Sequence, residues 1–211
     1  MKFRLTALLC AIVILDPAAS RGELLKPKDP KGDAAQADNK DAAKEAEKPA
    51  ARSQQELERI FQRNKRKADE AWAEDKKKRS ARDYAQMETE YQEINKNYKG
   101  PNVKELLAAF IKKWKDGNRV GCATLYLAQK SGGAEKEKLL DTCIKKYSDA
   151  YYLNGCSVGG LARLQMASLC LSTGKKAEAK KLVEEIEKSY ADAQDHNRNI
   201  IGDQAAALKA K

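Results

Sequence analysis

The stretch Lys138–Ala150, KLLDTCIKKYSDA, returns 43 residues later as Lys181–Ala193, KLVEEIEKSYADA. The two copies agree at Lys138/Lys181, Leu139/Leu182, Lys145/Lys188, Tyr147/Tyr190, Asp149/Asp192 and Ala150/Ala193. Leu139, Leu140 and Ile144, like Leu182, Val183 and Ile186, recur at helical spacing and give each copy one apolar face. A fixed step of this size is what stacked helical hairpins write into a sequence, because each hairpin has to bury its apolar face against a neighbour.

The likeness extends upstream. Ala123–Ala128, ATLYLA, matches Ala162–Ala167, ARLQMA, at a step of 39 residues. The difference of four falls in the turn region and is close to one helical turn of about 3.6 residues. Each copy therefore reads as a first helix with small residues on one face, a turn containing glycine at Gly132–Gly133 or Gly174, and a second helix ending in Tyr-x-Asp-Ala. Ala123, Ala128, Ala162 and Ala167 are expected to let helix axes approach closely, and Leu139 and Leu182 to supply apolar area between layers. Tyr147 and Tyr190 are expected to pack their rings at helix ends with the hydroxyls toward solvent. Asp149 and Asp192 are expected to turn the chain into the next element.

The second copy resembles a tetratricopeptide repeat. With the family's turn glycine on Gly174, its small helix-packing position falls on Ala167, the apolar position before it on Met166 and its second-helix alanine on Ala179. The family's large aromatic and breaker positions fall instead on Arg163, Cys170, Ile186 and Ala191, so the likeness is to a divergent member. The resemblance covers Ala123 to Ala193. It implies an all-α fold of stacked antiparallel hairpins and a surface for a protein or peptide partner.

The remaining chain organises around this repeat. Lys2 and Arg4 precede an apolar run from Leu5 to Leu15, followed by Ala18, Ala19 and Ser20, which is the pattern of a signal peptide over residues 1–20. The expectation is an exported, periplasmic or secreted chain. Residues 21–51 are rich in Ala, Lys, Asp and Pro; through Ala50 they carry seven basic and seven acidic side chains and almost nothing apolar, so they read as a disordered linker. Residues 52–99 read as a basic amphipathic helix or pair of helices, and residues 101–211 as the repeat domain.

Within 52–99, Ser53 stands three residues before Glu56, the spacing of a helix-starting box. One largely apolar stripe runs through Leu57, Ile60, Phe61, Asn64, Ala68, Ala71 and Trp72, and a second through Tyr84, Met87, Tyr91, Ile94 and Tyr98. The second has the 3,4 spacing of a coiled coil over too few heptads to specify one. The EDKKKRSARD between the stripes leaves two helices, or one helix with a solvated waist, equally open.

Net charge is +10, and Arg52–Arg82 holds eleven Lys or Arg against six Asp or Glu. Arg63, Lys65, Arg66 and Lys67, with Lys76, Lys77, Lys78 and Arg79, form a candidate basic patch for an anionic polymer or membrane surface. Export argues against nucleic acid as its target.

Export also makes disulfides the expected state of Cys122, Cys143, Cys156 and Cys170. Their spacings of 21, 13 and 14 contain no CxxC pair. Three pairings are open; a hairpin turning near Gly132 and Gly133 would bring Cys122 and Cys143 face to face, beside the alternative that the cysteines are small buried apolar residues. The single histidine, His196, has no nucleophile motif beside it and reads as a loop residue. No P-loop, GxGxxG or GxSxG occurs, so no catalytic residue, cofactor or metal site is expected.

Overall fold

A computed structural model describes residues 52–209; the expected signal peptide and linker lie outside the described residues. The order is α1 (Gln54–Lys77), α2 (Ala81–Lys96), α3 (Val103–Trp114), α4 (Asn118–Lys130), α5 (Gly133–Lys146), α6 (Val158–Ser172), α7 (Lys176–Ser189) and α8 (Ile201–Lys209). The described residues contain no strand, and successive helices pack in adjacent pairs. The architecture is all-α and compatible with a helical repeat.

Local chemistry sets the first two helices. The Ser53 hydroxyl accepts from the Glu56 amide and starts α1. The Ser80 hydroxyl accepts from the Asp83 amide and starts α2, so the charged waist is a break between two helices. The inner face of α1 is Ile60, Asn64, Ala68, Trp72 and Asp75, apolar residues interrupted by two polar ones. Met87, Tyr91 and Ile94 of α2 are buried within the same core, where Tyr91 packs on Phe110 of α3 with ring centroids 5.6 Å apart. The middle of the stripe with coiled-coil spacing is thus consumed inside the fold, while Tyr98 at its end is exposed. Both sides of Gly100 and Pro101 belong to one compact unit.

The repeat is written into the geometry more fully than into the letters. A β-bridge pairs Tyr151 with Ser157 after α5, and another pairs Gln194 with Ile200 after α7, each partner displaced by 43 residues. The Val158 amide donates to the Ala150 carbonyl at 2.9 Å, and Ile201 to Ala193 at 2.8 Å, again 43 apart. A Cβ added to Gly159 would lie 2.4 Å from the Ser148 carbonyl oxygen, and one added to Gly202 would lie 2.4 Å from that of Ala191. Only glycine permits this approach, so both copies keep it. By this register α8 is the first helix of a third unit.

The tyrosines carry the same register between units. The Tyr147 hydroxyl donates to the Lys115 carbonyl at 3.0 Å, just after Trp114 ends α3. The Tyr190 hydroxyl donates to the Ser148 carbonyl at 3.4 Å, just beyond Tyr147, the residue that caps α5. Trp114, Tyr147 and Tyr190 are therefore successive rungs, each tyrosine bonding back to the previous helix end. This corrects the expectation of hydroxyls facing solvent: the carbonyls at a helix C-terminus lack partners, and the next unit supplies a donor.

Ala123, Ala128, Ala162 and Ala167 are fully buried, and Met166 and Ala179 lie in the core. Leu139 and Leu182 are half-buried; the fully sequestered pair is one residue on, Leu140 and Val183. Gly174 adopts a φ of 77° in the α6–α7 turn, a left-handed conformation that disfavours a side chain.

The expected Cys122–Cys143 disulfide is absent: all four described cysteines are free and buried. The register gives the reason. Cys143 takes the place that Ile186 fills 43 residues later, and Cys122 the place that Leu161 fills 39 residues later. Both are core packing residues, and the Cys122 thiol points to the Tyr151 carbonyl at 3.5 Å.

Candidate functional site

Helix α1 carries most of the proposed basic patch, and its charges are divided between the interior and the surface. It runs beside the three segments that join one unit to the next, residues 115–117, 147–157 and 190–200. At the last of these, Arg52 and Arg63 bond to the Asp192 carboxylate at 2.8 and 2.6 Å, and the Asn64 side-chain amide donates to the Asp192 carbonyl at 2.8 Å. Asp192 is thus an anchor for α1 rather than simply a turn residue. At the middle segment, the Trp72 indole donates to the Tyr151 carbonyl at 2.8 Å. At the first, Asp75 accepts from the Asn118 amide at 3.0 Å and Arg79 bonds to the Asp116 carboxylate at 2.6 Å.

Arg63 and Arg79 are therefore structural, while Lys65 pairs with Asp69 and Lys77 with Glu74 within the helix. Arg66, Lys67, Lys76 and Lys78 are exposed and have no ion pair among the described residues. Of these, Lys76 lies 5.8 Å from the Tyr84 ring centroid. Sequence composition located the charges and could not separate anchors from free cations.

A second group was missed from sequence. Arg119 of α4 is buried between Trp72 and Tyr91, its guanidinium carbon 4.5 and 4.3 Å from the two ring centroids. It bonds with two nitrogens to the two carboxylate oxygens of Glu88. Desolvation opposes its charge, yet Glu88 more than offsets this and the pKa stays raised. Desolvation likewise raises the carboxyl pKa of Asp75, against the opposing pull of the Asn118 amide and Arg79. These groups are fixed by partners on every side, and an arrangement so satisfied holds helices together rather than binding substrate.

His196 stands in the 190–200 segment with its ring edge-on to Tyr152, centroids 4.4 Å apart, and its Nδ1 3.4 Å from the Asn154 side-chain nitrogen. Desolvation lowers the imidazole pKa, and Asp195 acts in the opposite direction. The cysteine thiols are poorly nucleophilic where they stand, because burial raises Cys122 and Cys143 to about 12. No cluster of three or more metal-ligating side chains occurs among the described residues, and no described helix is long and apolar enough to cross a membrane.

One face open to a ligand is formed by the first helices α2, α4, α6 and α8, which pack side by side. On α6 it becomes a shallow groove of about 400 Å³, with Leu161, Leu164 and Leu169 as apolar lining. Gln165, Ser168 and Ser172 of α6, Gln204 of α8 and Lys136 of α5 add the polar groups. Gln165 Oε1 is buried and has no hydrogen-bond partner within the protein. Leaving such an acceptor unpaired costs about 1–3 kcal/mol. The 39-residue step places Tyr126, Gln129 and Lys130 of α4 where α6 has Gln165, Ser168 and Leu169, so the same face continues onto α4.

Comparison with known proteins found no matching family model, no matching curated protein and no matching solved structure.

Proposed function

We propose that this chain is an exported, non-catalytic, tetratricopeptide-like scaffold whose first-helix face binds a protein or peptide partner. The observation that carries the reading is the α6 groove, with aliphatic lining from Leu161, Leu164 and Leu169 beside the polar groups of Gln165, Ser168 and Gln204. Apolar area with a few oriented polar groups is the usual make-up of a peptide-binding surface. The fit of Gly174, Met166, Ala167 and Ala179 to the tetratricopeptide pattern supports the repeat type, and the leader-like residues 1–20 support export.

The test is co-purification from the exported fraction at low and high salt. Ser168→Arg, an exposed position on the groove, should abolish recovery of the specific partner while the thermal melt stays unchanged. Undiminished recovery with Ser168→Arg would overturn the reading. An alternative is an envelope-associated structural protein that adheres to an anionic polymer or membrane surface; exposed Arg66, Lys67, Lys76 and Lys78 favour it. It requires binding that falls steeply with salt and is lost in Lys76→Glu/Lys78→Glu, with Ser168→Arg having no effect.

A further inference from the structure

We propose that the bound segment carries an acidic side chain, whose carboxylate docks between Lys99 and Lys130 against Tyr98 and Tyr126. This rests on the first-helix face being the binding surface, and it names the chemistry at the α2–α4 end of that face.

Four side chains make the site. Tyr98, just beyond α2, is 41% exposed, unusual for a large ring in this fold. Lys99 Nζ and Lys130 Nζ lie 5.5 and 5.7 Å from its ring centroid, and Lys130 is also 5.6 Å from the ring of Tyr126. The Tyr126 hydroxyl reaches the Tyr98 carbonyl at 3.5 Å, a long bond that ties α4 to the end of α2.

Lys96, at the end of α2, has a carboxylate partner in Glu93. Lys99 and Lys130 have none among the described residues. Two ammonium groups are thus gathered at one aromatic ring, where the negative π-faces hold them despite their mutual repulsion. A carboxylate arriving at the Tyr98 ring meets Lys99 and Lys130, both in contact with that ring and both without a carboxylate partner among the described residues.

The extent of the patch decides the kind of anion. Lipid surfaces and nucleic-acid backbones are engaged by clusters of many basic residues. Here two lysines flank two rings, a match for one side-chain carboxylate. The apolar α6 groove lies along the same face and suits a neighbouring aliphatic side chain of the same peptide.

The experiment titrates the isotope-labelled chain with an oligoglutamate peptide, acetylated and amidated so that its side chains carry the only charges, and follows amide shifts. Parallel arms use oligoglutamine, oligolysine and phosphatidylglycerol vesicles. Oligoglutamate should shift Tyr98, Lys99, Tyr126 and Lys130, oligoglutamine and oligolysine should not, and Lys99→Gln/Lys130→Gln should weaken oligoglutamate binding about tenfold without changing the melt.

The proposal is overturned by an absence of shifts, by shifts centred on Arg66, Lys67, Lys76 and Lys78, or by equal binding of oligoglutamine. Vesicle binding that is lost in the double variant while oligoglutamate binding persists would also overturn it. If a co-purified partner is lost with Ser168→Arg and retained with Lys99→Gln/Lys130→Gln, this proposal fails alone. If Ser168→Arg retains the partner, the scaffold reading fails.

Discussion

Arg119 carries a guanidinium that is 4% exposed, stacked between two aromatic rings and forked onto Glu88. It joins α1 through Trp72 to α2 through Tyr91 and Glu88, and it does so from α4. A lysine cannot stack in this way or present a planar fork, so charge conservation alone does not preserve the contact. Arg119→Ala is expected to cost about 3 kcal/mol in urea unfolding, the lower part of the range for a broken buried pair, because the Glu88 side chain keeps 24% exposure. Arg119→Lys should fall between that variant and the parent. A loss below about 0.5 kcal/mol for Arg119→Ala, the level of an ordinary surface change, would show that the stack is incidental. No periodicity in the sequence points to this residue, since a lone arginine among Asn118, Val120 and Gly121 reads as an exposed position.

On the scale of the element, α1 shows how a charged helix becomes structural. Its buried stripe includes Asn64, which the helical spacing takes in, and Asp75, which it passes over. Asp75 caps the start of α4 by accepting from the Asn118 amide, a favourable place for negative charge at a helix N-terminus. Burial nevertheless raises its pKa. A carboxyl with a folded-state value above its unfolded one stabilises the fold fully below the unfolded value, and this contribution fades as pH rises through the folded value.

Asp75→Asn keeps an acceptor for Asn118 and removes the desolvated charge. It should melt at or above the parent near neutral pH, with the difference shrinking as the pH falls into the carboxylate range. Asp75→Ala leaves the Asn118 amide unpaired and should cost about 1–3 kcal/mol at neutral pH. Thermal melts across pH decide this; an Asn variant less stable than the Ala variant would contradict the account. The helix starts at Ser53 and Ser80 were legible because a cap is a contact between residues three apart. The anchoring contacts of α1 were not, since Asn64 meets Asp192 across 128 residues of chain.

Across the whole molecule the core is continuous from Ala68 of α1 to Ala205 of α8, and Cys122, Cys143, Cys156 and Cys170 lie within it. A thiol reagent should therefore leave the native chain largely unmodified on the timescale that labels an exposed cysteine. All four described thiols should react once the chain is unfolded in denaturant without reductant. Native-state labelling faster than global unfolding, or fewer free thiols in the unfolded chain, would refute the packing described for them. The outcome also bears on redox history, since an oxidising compartment favours disulfides only where geometry brings sulfurs together.

The sequence by itself determined that the chain forms helices, that their hairpins repeat at a step of 43 residues, and which alanines face inward. These follow from period and local sterics, which neighbouring letters record. Only the tertiary structure decided that Tyr147 and Tyr190 bond back to the preceding unit, that Cys143 plays the part of Ile186, and that half of the basic stretch is bound to its own chain. A helical period says which side of a helix is buried and nothing about what lies across from it. The identity of that opposite surface is a long-range fact, set by how the whole stack closes on itself.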